Sequence, residues 1–385
     1  MKKVNIVLFS LCISSIAMSQ DAELKARIDT LQQQLLDLRK VAESALTGQR
    51  QQPAGSAVVM SGNVFANYSY SPNGGTDWPS MNKFDLDRVY LTAKSNLSEE
   101  WKAQVTTDVY RTSSIGSTTY YNGLAIRLKY ALVEYAPAPS VSIKAGMIPT
   151  VWTSISELYW KYRGIAKVPT DKSSYFSTSD LGISGTYLLP NKLGEVSAFI
   201  LNGNGYDNPD TNRYKDFGAR AVLNPFSDES VLKSLAIAGY GYVGTSGGPG
   251  GPALPRNRIG GIVACSYSIV SANIEFDSRK DAPATPNTTV TGSLWSVFGE
   301  VRSPWDAWLS KFAAVWRVDF VDPNVNVSGD KTRFVIGGLA YKVNDKVTLA
   351  LDEQATYAET KTLTRYDKSK TDYDSKICIH SIIIL

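Results

Sequence analysis

From Val58 to the C-terminus the side chains alternate in character with a period of two, and nowhere in the chain do ~18 apolar residues run together. In "RVYLTAKSN", residues 88–96, Arg88, Tyr90, Thr92 and Lys94 fall on one side while Val89, Leu91 and Ala93 fall on the other. Successive side chains of an extended strand point to opposite faces, so this is a strand with one polar and one apolar face. The same alternation sets Trp101, Ala103 and Val105 against Lys102, Gln104 and Thr106, and sets Trp316, Val318 and Phe320 against Arg317 and Asp319. Sixteen such segments are predicted, near residues 58–70, 84–97, 101–111, 123–136, 140–147, 181–189, 195–203, 214–224, 232–244, 257–267, 269–278, 291–302, 309–321, 331–342, 346–358 and 376–384. An ordinary helical membrane protein is excluded. What stays open at this point is whether the apolar face meets a protein core or lipid.

The connections decide between them, because they alternate in length. "LSEEW", "APAPS", "PNKLG", "SPWDA" and "VNDK" are short, whereas "SPNGGTDWPSMNK", "NGNGYDNPDTNRYK", "TSGGPGGPALPR" and "TLTRYDKSKTDYD" are long and rich in Gly, Pro, Asn and Asp. Outer-membrane barrels have this asymmetry and an even number of strands, while a soluble sandwich has no reason for it. Charges sit at mid-strand on one face and aromatics near the ends of the other, as an aqueous lumen and two interfacial girdles require. The expected fold is therefore all-β and transmembrane: a 16-stranded antiparallel outer-membrane β-barrel spanning residues 58–385, preceded by a short coiled-coil helix.

The first residues, "MKKVNIVLFSLCISSIAMSQ", read as a signal peptide at 1–19: two lysines, an apolar run, then the small Ala17 and Ser19. Removing Lys2 and Lys3 takes the formal charge from +4 to 4 − 2 = +2, which points to no strongly charged partner and to no nucleic acid. Only Cys265 and Cys378 follow the leader, too few for a disulfide framework. Over residues 20–49, Leu24, Ile28, Leu31, Leu35, Leu38, Ala42 and Ala45 are spaced alternately by four and three, the a and d pattern of a coiled coil. This predicts a periplasmic helix that associates copies of the chain, with a single amphipathic helix on the barrel rim as the other reading. Residues 50–57 read as a linker.

The longest connection, residues 148–180, carries "IPTVWTSISELYWKYRGIAKVPTDKSSYFSTSD". A sixteen-stranded barrel leaves an aqueous channel, and a loop of this length is expected to fold inward and narrow it. Its constriction residues are Lys161, Arg163, Lys167, Glu157 and Trp160. Around them the inward faces present Arg88, Lys94, Lys102, Arg127, Lys144, Arg220, Arg302 and Arg317, shared with Asp108, Glu134, Glu300 and Asp319. At Arg127 the local alternation conflicts: "AIRLKY" sends Arg127 and Lys129 to one side, while "ALVEYA" puts Ala131, Val133 and Tyr135 on the lipid side. A bulge at this point, or Lys129 at the rim, reconciles them. The lumen charges read either as crossing charges of a general pore or as a basic ladder for phosphate-like anions, with the basic excess near the constriction leaning to anions.

"RVYLTAKSNLSEEWKAQVTTDVY", "LKYALVEYAPAPSVSIKAGMIPTVW" and "SAFILNGNGYDNPDTNRYKDFGARAVLNP" resemble the phosphate-selective porin O and P family of bacterial outer membranes. The resemblance covers most of residues 58–385 and implies a trimeric sixteen-stranded barrel, an inward third loop, and passive diffusion of small hydrophilic solutes, with basic residues guiding anions. Two features depart from that family: no dense arginine ladder or lysine cluster is present, and the chain ends in Leu385 where the family usually ends in an aromatic residue.

No enzyme is expected. His380 is the single histidine, so no Ser-His-Asp set is available, and one histidine with two separated cysteines argues against a zinc site. No cofactor or metal is predicted. A structural barrel with a plugged pore, tethered through the helix at 20–49, is the alternative to an outer-membrane diffusion channel.

Overall fold

The computed structural model describes residues 57–73, 80–115, 118–210, 212–226, 234–247, 252–282, 288–305, 307–364 and 369–385. The expected leader at 1–19 and helix at 20–49 lie outside the described residues, as does all but the last residue of the linker at 50–57.

Sixteen strands close into one antiparallel barrel. In chain order they are β1 (Val59–Ser71), β2 (Met81–Asn96), β3 (Trp101–Ile115), β4 (Thr118–Ala138), β5 (Val141–Pro149), β6 (Ser179–Leu189), β7 (Gly194–Leu201) and β8 (Asp216–Leu223). They continue as β9 (Ala236–Ser246), β10 (Leu254–Tyr267), β11 (Val270–Asp281), β12 (Val290–Arg302), β13 (Phe312–Asp322), β14 (Thr332–Lys342), β15 (Val347–Ala358) and β16 (Tyr373–Ile384). Every strand pairs with its sequence neighbours, and β1 pairs with β16 from Asn63 opposite Ile384 to Tyr70 opposite Ile377, which removes both sheet edges. A two-stranded ribbon, Leu363–Thr364 with Lys370–Thr371, decorates the connection between β15 and β16.

The chain is inside-out relative to a soluble protein. Leu91, Ile126, Ile183, Ile259, Ile274, Leu351 and Ile379 are exposed on the outer wall, while Asp108, Glu275, Asp277, Arg317, Asp319 and Asp352 are buried inside. Water surrounding such a wall makes no physical sense; lipid does. Aromatic pairs band the outer wall near both ends: Trp101 on Tyr135 and Phe312 on Tyr341 at the short-turn end, Tyr68 on Phe84 and Tyr357 on Tyr373 at the other. Among the described residues no helix is long and apolar enough to cross a membrane, and the crossing elements are strands.

One local departure from the sequence expectation has a clear cause, and one alternative the sequence left open is decided. The stretch 112–122, expected as a connection, is mostly strand: Thr112 pairs with Gly123 and Ile115 with Thr118, because its Ser, Thr and Tyr residues suit an extended backbone. The alternation conflict near Arg127 is resolved by a bulge, since Thr106 faces Tyr130 and Thr107 faces Leu128, leaving Lys129 as the extra residue. Lys129 is buried, with its ammonium 4.2 Å from the centre of the Tyr90 ring.

Candidate functional site

The segment between β5 and β6, residues 150–178, lies inside the barrel and is packed against its wall. Its first helix, α1 (Thr153–Tyr159), buries Thr153, Ile155 and Ser156 with Trp152 ahead of it, and turns Leu158 to solvent. A one-turn helix, α2 (Pro169–Lys172), starts at Pro169, whose fixed backbone angle suits the first helical position. Trp152, Trp160, Val168 and Phe176 join Phe199, Tyr240, Phe298 and Ile336 of the wall in one apolar cluster.

Polar anchors come from wall residues that face inward. Glu275 on β11 is completely buried: its two carboxylate oxygens accept hydrogen bonds from the Trp152 indole at 2.6 Å and the Ser156 hydroxyl at 2.7 Å. The neighbouring Tyr240 packs tilted against Trp152, ring centres 4.6 Å apart, and donates its hydroxyl to Asp277 at 2.8 Å. Arg220 on β8 donates to the Val151 carbonyl at 3.0 Å and pairs with Glu195 at 2.9 Å. Arg258 on β10 donates to the Tyr175 carbonyl at 3.0 Å. Arg317 on β13 grips Asp319 with two bonds, at 2.8 and 2.5 Å, and donates to the Lys167 carbonyl at 2.6 Å. Gln354 on β15 donates to the Ile165 carbonyl at 3.2 Å. Loop carbonyls that would otherwise be orphaned in a crowded interior are thus satisfied by the wall. At the loop's tip a side chain on Gly164 would come within 2.6 Å of Ile382 on β16 and 3.0 Å of Phe65 on β1, so any larger residue would have to displace those side chains.

The five constriction residues divide by role. Trp160 is buried and donates its indole N–H to the Ala166 carbonyl at 2.8 Å, closing the loop on itself. Arg163 lies between Glu157 at 3.4 Å and Asp171 at 3.3 Å, and Lys167 pairs with Asp171 at 3.3 Å. Lys161 reaches Glu300 on β12 at 3.2 Å while staying half exposed. Tyr162 donates to the same carboxylate at 2.5 Å, and burial together with that bond pushes its phenol well above the usual range. Lys172 lies 3.9 Å over the Phe334 ring, and burial, reinforced by Arg317, holds its ammonium below the ordinary value.

The expected lumen charges also divide. Arg220 and Arg317 face inward but sit beneath the loop, Arg317 with no exposed surface at all, so they hold the loop rather than face the open lumen. Arg302 pairs with Glu300 at 2.9 Å near the short-turn end. On the opposite wall, Arg88 and Arg127 each approach the buried Asp108 at 3.0 Å. Arg127 also pairs with Asp207 at 2.8 Å and lies 3.9 Å over the Tyr110 ring. Lys94 and Lys102 are exposed on the inner face, and Lys144 stands 3.9 Å from Glu134.

Two hollows flank the loop. One, of about 450 Å³, faces the long loops and is lined by Arg127, Lys167, Arg256 and Arg258 with Asp171, Asp180 and Asp207. Burial raises the phenol of Tyr206 on its rim. The other, of about 530 Å³, opens toward the short turns with Arg302, Lys311 and Lys342 beside Glu300 and Asp345.

Sequence reasoning missed Glu275, Arg256, Arg258, Tyr206 and Gln354, whose partners lie dozens of residues away; a polar side chain on the inward strand face was the available signal for all but Tyr206, which lies in the connection between β7 and β8. It also judged His380 to be without metal-binding company. The register of β15 with β16 instead brings Asp352, Cys378 and His380 together, their ligand atoms all within 4.8 Å of one another.

A closed sixteen-stranded barrel with an apolar outer wall, a charged interior and a loop packed within it defines an outer-membrane β-barrel of the porin type. The fold is similar to that of an anion-selective porin from Comamonas acidovorans (TM-score 0.64, 10% identity, 86% of this chain and 100% of that one covered). It is similar also to outer-membrane OmpT of Vibrio cholerae (TM-score 0.60, 10% identity, 87% and 99% covered) and to the outer membrane channel DcaP of Acinetobacter baumannii (TM-score 0.57, 11% identity, 87% and 99% covered). No protein-family model matches the chain, and no curated protein does.

Proposed function

We propose that this protein is an outer-membrane channel for passive diffusion of small hydrophilic solutes, with a preference for anions. The observation that carries the reading is the unequal charge of the two walls. The wall under the loop covers its charges, whereas the wall of β2 to β5, where Arg88 and Arg127 pair with the buried Asp108, leaves Lys94 and Lys102 exposed to the lumen and Lys144 beside Glu134. A cation-rich passage between two hollows raises the local concentration of anions and lowers their barrier. Phosphate-like anions suit the exposed ammonium groups of Lys94 and Lys102 on that wall, in line with the resemblance to the phosphate-selective porins. In this reading residues 1–19 direct export, residues 20–49 form a coiled coil in the periplasm, and three copies assemble.

The test is conductance of the purified protein in a planar bilayer under a salt gradient, with phosphate then added to chloride. Stepwise conductance, an anion-favouring reversal potential and block by phosphate are expected. A second reading, a tethering barrel with a closed lumen, is favoured by one contact: the loop tip at Gly164 reaches the far wall at Phe65 and Ile382. Sealed bilayers from heat-modifiable, folded protein would establish it instead.

A further inference from the structure

Three chemically different ligand groups converge on the inner wall where β15 meets β16. Cys378 lies opposite Asp352 in the register, and His380 follows two residues later on the same inward face. All three are buried, at 1%, 2% and 4% exposure, and their sulfur, carboxylate and ring-nitrogen atoms lie within 4.8 Å of one another. The His380 Nε2 approaches Asp352 Oδ2 to 2.8 Å, yet both ring nitrogens and that oxygen lack a hydrogen-bond partner. Buried groups of this polarity are costly to leave unsatisfied. The other carboxylate oxygen accepts a bond from Gln354 Nε2 at 2.9 Å, which orients the carboxylate as an outer contact orients a metal ligand.

We propose that Asp352, Cys378 and His380 bind a thiophilic divalent cation of the zinc type in the lumen wall. The ligand set selects it: thiolate excludes calcium and magnesium, and imidazole with carboxylate completes a three-ligand site whose fourth position is open to water. The charges also balance, because a dication with one thiolate, one carboxylate and a neutral imidazole forms a centre of zero net charge, which a buried wall tolerates where an isolated charge is not tolerated. Binding displaces the thiol proton to solvent. It opens the Asp–His approach from 2.8 Å toward the ~3.3 Å edge of a tetrahedron with bonds near 2.0–2.1 Å. The next inward residue of β16, Ile382, supports the loop tip at Gly164, so the site lies beside the loop's far anchor.

The test uses the full chain, folded in detergent, carrying Cys265→Ala so that Cys378 is the one thiol after the leader. After chelator treatment and dialysis, Co²⁺ alone is titrated, then displaced with Zn²⁺. One cobalt per chain, with thiolate-to-metal absorption lost on adding Zn²⁺, is expected, together with slowed alkylation of Cys378 in the presence of Zn²⁺. Asp352→Asn should weaken binding by at least the ~10–100-fold that loss of an outer contact alone causes. Absence of the absorption with an unchanged alkylation rate overturns the proposal, and so does binding that is undiminished in a folded Asp352→Asn chain. If that variant fails to fold, the alkylation rate of the parent chain decides on its own.

Discussion

The wall under the loop and the wall facing it are built from the same alternating strands, yet they differ in how much charge they leave uncovered. Beneath residues 150–178, Glu275, Arg258 and Arg317 are buried, and each directs its polar atoms at a loop atom or a fixed counter-ion. Across the lumen, Lys94 and Lys102 stand exposed. A charge covered by a loop has lost its hydration and must be paired; one facing water is free to act on solutes. Inward direction alone therefore does not make a charge part of the passage. What covers it does.

The comparison can be broken most directly at Arg317. Replacing it by Leu leaves Asp319 buried without its partner, and a loss of about 3–5 kcal/mol is expected, read as a lower urea midpoint of the heat-modifiable form. Lys94→Leu should shift the same midpoint by under about 0.5 kcal/mol. If both changes cost the same, the two walls do not differ as described.

Next in size is Glu275→Gln, which keeps the shape but weakens the grip on Trp152 and Ser156. About 1–3 kcal/mol of loop anchoring is lost, and noisier, larger conductance steps are expected; steps identical to the parent's would show that this anchor does not set the aperture. Replacing Lys94, Lys102 and Lys144 together by Glu should leave stability near the parent's and move the reversal potential toward cations. That triple is a cleaner probe than Lys161, Arg163 and Lys167, because Arg163 and Lys167 hold the loop through Asp171.

The smallest effect is expected at Lys172. Its pKa in the folded chain lies below the ordinary 10.5, so between those two values the unfolded chain binds more protons and stability rises with pH. Lys172→Met should abolish that rise, seen as a flatter profile of denaturation midpoint against alkaline pH. An unchanged slope would assign the rise to another group.

The barrel itself was legible because a period of two is a local property: each strand's apolar face is written into its own residues, and the alternation of short and long connections follows from the two ends of a bilayer-spanning sheet. All sixteen segments were placed within a few residues, β4 being the main exception because its Thr- and Tyr-rich extension reads equally as loop or strand. The Arg127 conflict shows the limit of that locality. Alternation announced that something breaks there, and the pairing of Thr106 with Tyr130 and Thr107 with Leu128 decided that a bulge at Lys129 is what breaks it.

The sequence by itself determined the strands, their polar and apolar faces, and the presence of one connection too long to be a turn. Tertiary structure decided which inward charges are covered and which are free, because that depends on where residues 150–178 come to rest. It also decided that Asp352 meets Cys378 and His380, since strand register joins residues that no local pattern relates. Faces follow from neighbours along the chain; sites follow from neighbours across it.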